Sequence, residues 1–136
     1  FLWEAYVVTG RCDSAAVAAR EAFRFADPAD TVSTAVHMRS ALAMNAAIAA
    51  RCGRTAEAAR MLAAMRSGNA RGTVPAYDVA SVCALLGRND EAFGWLDRAL
   101  RAREQYTLAL RVDPFLAGLR ADPRFAALIR RLGLPA

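Results

Sequence analysis

The chain has 136 residues, 56% of them hydrophobic with alanine prominent, and a net charge of +5 that rests on arginine alone, for there is no lysine. That is enough chain to bury a core, and alanine at this level suits closely packed helices better than strands. No uncharged apolar run of membrane-spanning length occurs, and no signal peptide opens the chain.

Residues 1–8 carry Trp3 and Tyr6 in a helical pattern, so the chain is expected to begin inside a helix, as a piece of a longer protein. Gly10 turns it. Asp13 or Ser14 is placed to cap a second helix running to about Phe25, with Ala15, Ala19, Ala22 and Phe23 inward. Asp27-Pro28, a capping carboxylate followed by proline at the first helical position, opens a long third helix ending near Cys52. Leu42, Ala46, Ala49 and Ala50 form its packed stripe. A fourth helix is expected over residues 55–65, followed by a loop over residues 67–72 on composition. Thr73-Val74-Pro75 opens a fifth helix bearing Tyr77, Val79, Ala80, Cys83, Ala84 and Leu86. Gly87 ends it. Asn89 or Asp90 caps a sixth helix to about Arg103, with Ala92, Leu96, Ala99 and Leu100 on one apolar face. Asp113-Pro114 and Asp122-Pro123 then start two short helices, and Gly133 stops the second.

The helices repeat. Gly53-Arg54 and Gly87-Arg88 stand 34 residues apart, each followed by an alanine (Ala58, Ala92) and then a leucine (Leu62, Leu96) at matching distances. Gly10-Arg11 begins a weaker copy, 43 residues before Gly53; the excess either lengthens the third helix or its connection. A period of 34 residues with a helix–turn–helix in each unit is that of tetratricopeptide repeats. The expected fold is therefore all-α, a TPR-like right-handed superhelix of antiparallel helix pairs. About three units (1–27, 28–70 and 73–104) make one domain over 1–136, with short C-terminal capping helices over 105–134.

The segments Thr73-Val74-Pro75-Ala76-Tyr77-Asp78-Val79-Ala80, Leu86-Gly87, Ala92-Phe93-Gly94-Trp95-Leu96, Val112-Asp113-Pro114 and Leu119-Arg120-Ala121-Asp122-Pro123-Arg124-Phe125 resemble a recurrent C-terminal TPR region of bacterial multi-domain signalling proteins. Its relatives include transcriptional regulators, serine/threonine kinases and nucleotide cyclases. The resemblance covers residues 73–134, with residues 1–72 similar to ordinary TPR. It implies a helical module attached to an effector domain.

Signs of chemistry are sparse. No glycine-rich phosphate loop is present. Cys12, Cys52 and Cys83 are odd in number and lack metal-ligand spacing, and the sole histidine is His37. They read as small buried hydrophobes in a reducing, cytoplasmic compartment. His37 has no orienting carboxylate near it in sequence. Asp113 and Asp122 resemble an acid–base pair only superficially; beside proline they read as helix caps. No catalytic, metal-binding or cofactor-binding residue is assigned, and no cofactor is expected.

What remains is recognition. In a TPR stack the first helix of each unit lines a groove that takes peptides. Here those faces carry Ser40, Ala43, Ala47 and Arg51, then Val74, Tyr77, Ser81, Ala84 and Leu85. The groove favours an apolar partner segment beside Tyr77; the alternative is that Tyr77 only packs between repeats. Residues 1–97 are neutral, and residues 98–136 carry the whole +5. The bland reading of that end is a solvated arginine face. The expected function is a non-enzymatic protein–protein interaction module in a bacterial signalling or regulatory protein, contacting a protein or peptide or other domains of its parent. The alternatives are the structural C-terminal end of a larger TPR-containing regulator, kinase or cyclase, or nucleic-acid contact through Arg120, Arg124 and Arg131.

Overall fold

The computed structural model describes residues 2–24 and 31–133, with side chains described at 2–21 and 41–133. The Asp27-Pro28 helix start and the side chains of His37 and Ser40 therefore lie outside the described residues. Among the described residues are seven α-helices, α1 (Leu2–Val8), α2 (Cys12–Arg24), α3 (Thr31–Arg51), α4 (Thr55–Ala70), α5 (Ala76–Leu85), α6 (Asn89–Arg101) and α7 (Pro123–Arg131). Two 3₁₀ helices, Gln105–Ala109 and Pro114–Leu119, stand between α6 and α7. Sequence neighbours α1 and α2, α3 and α4, and α5 and α6 pack as antiparallel pairs. The chain divides into two compact units, Phe1–Val74 and Pro75–Ala136.

The three Gly–Arg turns are built alike. Gly10, Gly53 and Gly87 all take φ between +72° and +76°, the left-handed region where a side chain is strained. The arginine after each glycine donates its N–H to a carbonyl five residues back: Arg11 to Tyr6, Arg54 to Ala49 and Arg88 to Cys83. This is the long bond of a Schellman turn. The same arginine's carbonyl then accepts from Ala15, Ala58 or Ala92, opening the next helix. Each of those alanines is fully buried. The cap assignments move accordingly. Arg54 and Arg88 hold the N-cap positions without a side-chain cap bond. Asp13, Asn89 and Asp90 lie inside their helices, where Asp13 and Asp90 face the positive end of the helix dipole.

One open question about length is decided and one expectation is revised. α3 runs 21 residues against 10 in α5, so the excess before Gly53 lengthens a helix. Residues 67–70, expected as loop, continue α4. Gly68 is there for proximity: a Cβ on it would lie 2.5 Å from Val74 Cγ2. The chain folds back over it, with Thr73 Oγ1 donating to the Gly68 carbonyl at 3.0 Å and Asn69 Nδ2 to the Val74 carbonyl at 2.9 Å.

In the unit Phe1–Val74 the buried core is Val7, Ala15, Ala19, Met44, Ala46, Ile48, Leu62 and Met65 among others. In Pro75–Ala136 it is Val79, Val82, Leu96, Leu110, Leu116, Leu119, Phe125 and Leu128 with smaller neighbours. Both Asp-Pro pairs start helices as their chemistry dictates. Asp113 accepts from the Phe115 N–H and Asp122 from the Arg124 N–H, each at 2.9 Å.

The last helix is tied to α6 by two ion pairs. Arg124 Nη1 reaches Asp90 Oδ1 at 2.8 Å and Arg131 Nη1 reaches Asp97 Oδ1 at 2.6 Å, and both pairs are 34 residues apart. Two rungs advancing the same way on both helices mean that α6 and α7 run parallel.

Candidate functional site

A connected polar arrangement surrounds the start of α5. Pro75 occupies its N-cap and offers no capping side chain, so the first N–H groups of α5 need an acceptor from elsewhere. Because α5 and α6 are antiparallel, the end of α6 returns to that point. There the chain turns through Arg103, at φ 53°, with the Glu104 N–H donating to the Ala99 carbonyl. Glu104 then accepts from both waiting donors: Ala76 N–H to Oε1 at 2.8 Å and Tyr77 N–H to Oε2 at 2.9 Å. A carboxylate across two N-terminal amides is favoured by charge and by the helix dipole.

Tyr77 continues the network. It is 4% exposed. Its hydroxyl donates to Asp113 Oδ2 at 2.8 Å, while Asp113 Oδ1 accepts from Phe115. Ser81 Oγ donates to the Tyr77 carbonyl at 3.0 Å, and the Tyr106 ring stacks on the Tyr77 ring with centroids 6.2 Å apart. Burial, and then the Asp113 carboxylate, push the Tyr77 phenol well above its ordinary range. Such a phenol is a proton donor, held protonated. Both carboxylate oxygens of Glu104 and of Asp113 are already occupied by donors of this unit, which leaves them poorly placed to act as general bases.

A second polar cluster lies on α6 and α7. Arg124 pairs with Asp122 and Asp90, and its guanidinium lies 4.2 Å above the Phe93 ring. Asp97 holds both Arg131 and Arg101. Arg124's side-chain hydrogen bond holds the Asp122 carboxyl below the usual range, and the two acids raise Arg124 in return. Arg120 donates to the Asp113 carbonyl. Each of the three arginines that sequence suggested for nucleic acid thus has a partner within its own unit.

The expected groove residues meet different fates. Ala47, Tyr77 and Ser81 are buried. Ala43 and Leu85 are half-buried, and Arg51 is exposed, with its Nη2 3.4 Å from the Val8 carbonyl. Ser40, Ala43, Ala47 and Arg51 belong to α3, and Tyr77, Ser81 and Leu85 to α5, in separate units. Among the described residues, the exposed large apolar side chains lie elsewhere, at Leu2, Val8 and Val17 and at Tyr106, Leu108 and Val112, the last two 70% and 75% exposed.

The cysteine reading is corrected. Cys12 and Cys52 are half-buried and joined by a disulfide, and only Cys83 is a buried cysteine outside such a bond. Local spacing carried no sign of this, because the partners are 40 residues apart. The signal was positional: Cys12 and Cys52 each lie within two residues of a Gly–Arg turn, and those two turns come together in the fold. Glu104 was likewise missed, and its sign was the absence of a capping residue at Pro75.

Among the described residues no group of His, Cys, Asp and Glu could hold a metal ion, and no helix is long and apolar enough to cross a membrane. The fold defines an all-α protein of antiparallel helix pairs. Compared with family models, with curated proteins and with solved structures, the chain finds no match.

Proposed function

We propose that the chain is a non-enzymatic protein–protein interaction module on the tetratricopeptide plan, working in a bacterial signalling or regulatory protein. The observation that carries this reading is the recurrence of one turn. Gly–Arg closes the first helix and opens the second in three places with the same hydrogen bonds, and α6 and α7 repeat the 34-residue step in their ion pairs. The partner in this reading is a protein or peptide, or another domain of the parent. Contact would fall on the first helices, at Ala43 and Arg51 in one unit and at Leu85 in the other. Nucleic-acid contact loses ground, since Arg120, Arg124 and Arg131 are already engaged. An oxidising compartment suits the Cys12–Cys52 bond better than the cytoplasm.

The test is affinity capture from bacterial extract on the immobilised chain, beside separate Arg51→Ala and Leu85→Ser variants whose helicity matches the parent. A protein retained by the parent and lost from either variant supports the reading. Retention of nothing, or equal retention on parent and both variants, removes it.

A further inference from the structure

The Cys12–Cys52 bond joins α2 to α3, where α1 and α2 pack against α3 with mostly small buried side chains among the described residues. Among the described side chains of α1 and α2, only Val7, Ala15 and Ala19 are buried. At the same edge, the Arg51 guanidinium touches the Val8 carbonyl at a long 3.4 Å. By contrast α4 buries Leu62 and Met65. The unit Pro75–Ala136 buries leucine, valine and phenylalanine throughout and has no disulfide among its described residues. A cross-link that stands where apolar burial is thin carries a large part of the local stability. Both sulfur-bearing residues are half-buried, so the bond lies within reach of a solvent thiol.

We infer that Cys12–Cys52 is a redox-operated clasp: a dithiol reductant opens it and frees α1–α2 from α3–α4, while α4 and the unit Pro75–Ala136 stay folded. The chemistry is thiol–disulfide exchange. A thiolate of the reductant attacks one sulfur and forms a mixed disulfide. The reductant's second thiol resolves it and becomes part of the reductant's own disulfide. Two electrons and two protons pass to the protein, leaving Cys12 and Cys52 as thiols. A disulfide of the same class, presented to the reduced protein, reverses the exchange. The consequence is a change of surface: the face of α3 on which α1 and α2 pack becomes available when the clasp is open.

Hydrogen–deuterium exchange of the whole chain, oxidised and after treatment with a small dithiol, tests this. Peptide mapping without reductant first establishes the Cys12–Cys52 link, and its absence overturns the proposal. On reduction, amides of residues 2–24 are expected to exchange at least about tenfold faster, with those of α4, α5 and α6 unchanged. Unchanged exchange in residues 2–24 overturns the clasp. So does simultaneous loss of protection in α4, which would make the bond a staple for its entire unit. The Cys12→Ser/Cys52→Ser double variant must show the fast exchange without reductant and no response to it; a response there places the effect at some other group and overturns the assignment.

Discussion

Removing the Glu104 carboxylate should loosen the start of α5, and its cost follows from the geometry. Two backbone N–H groups, those of Ala76 and Tyr77, lose their acceptor in Glu104→Ala. Both residues are buried, so water replaces the acceptor poorly. Loss of a helix-capping side chain alone costs about 0.5–2 kcal/mol. The lost charge at the helix N-terminus adds about 0.3–1 kcal/mol. We expect a total of about 2 kcal/mol, which in a unit of this size lowers Tm by roughly 10 °C. Glu104→Gln keeps one acceptor but turns an amide NH₂ toward the other donor and loses the charge, so it should fall about midway, near ~1 kcal/mol. The two tryptophans make the assay local, because Trp3 and Trp95 lie in different units. Urea denaturation in a Trp3→Phe background, followed by Trp95 fluorescence, reads the unit that contains Glu104. A Glu104→Ala variant within about 0.5 kcal/mol of its parent, the range of an ordinary surface change, would refute the capping argument.

Tyr77→Phe deletes the hydrogen bond to Asp113 and should cost about 1–2 kcal/mol by the same denaturation. Its pH signature has a definite sign. The folded phenol is raised above its unfolded value of 10.0, so its contribution is complete below that pH and declines as pH rises beyond it. The parent should therefore lose stability more steeply than Tyr77→Phe in titrations above pH 10, and parallel curves would contradict this. Gly68→Ala drives a Cβ against the stiff Val74 side chain and should destabilise by about 1–3 kcal/mol, whereas Gly94→Ala, in open space on α6, should stabilise by about 0.5–1 kcal/mol. Thermal melts of the two variants should thus shift in opposite directions. Arg103→Gly relieves a left-handed residue at φ 53° and should raise stability by about 1 kcal/mol, measured as a higher urea midpoint.

Much of the fold was legible because its signals are local. Gly53 and Gly87 announce their turns by needing positive φ, and the alanine and leucine that follow announce the buried face of the next helix. Asp113 and Asp122 declare helix starts through the proline beside them. The misreadings share a cause: each residue answers to a partner distant in sequence. Gly68 reads as a loop residue until Val74 is seen folded over it. Cys12 reads as a small hydrophobe until Cys52 arrives from the next pair. Tyr77 reads equally as a groove residue or as packing, and its hydroxyl's partner, Asp113, appears only in the fold. Glu104 draws no reading at all until the bare amides of α5 are set beside it. In each case the deciding contact is tertiary, and residue type and spacing along a single helix do not encode it.

The paired rungs between α6 and α7 set position as well as holding the helices together. Asp90 and Asp97 are two helical turns apart, and so are Arg124 and Arg131. A slide of α7 by one turn breaks both pairs at once. A slide of two turns restores only one and leaves an unmatched acid and an unmatched base at opposite ends. The four charges thus act as a vernier. Each ion pair at the surface is weak by itself, but their spacing makes one alignment of the two helices better than its neighbours, a selectivity that leucines alone, alike from turn to turn, would supply less sharply.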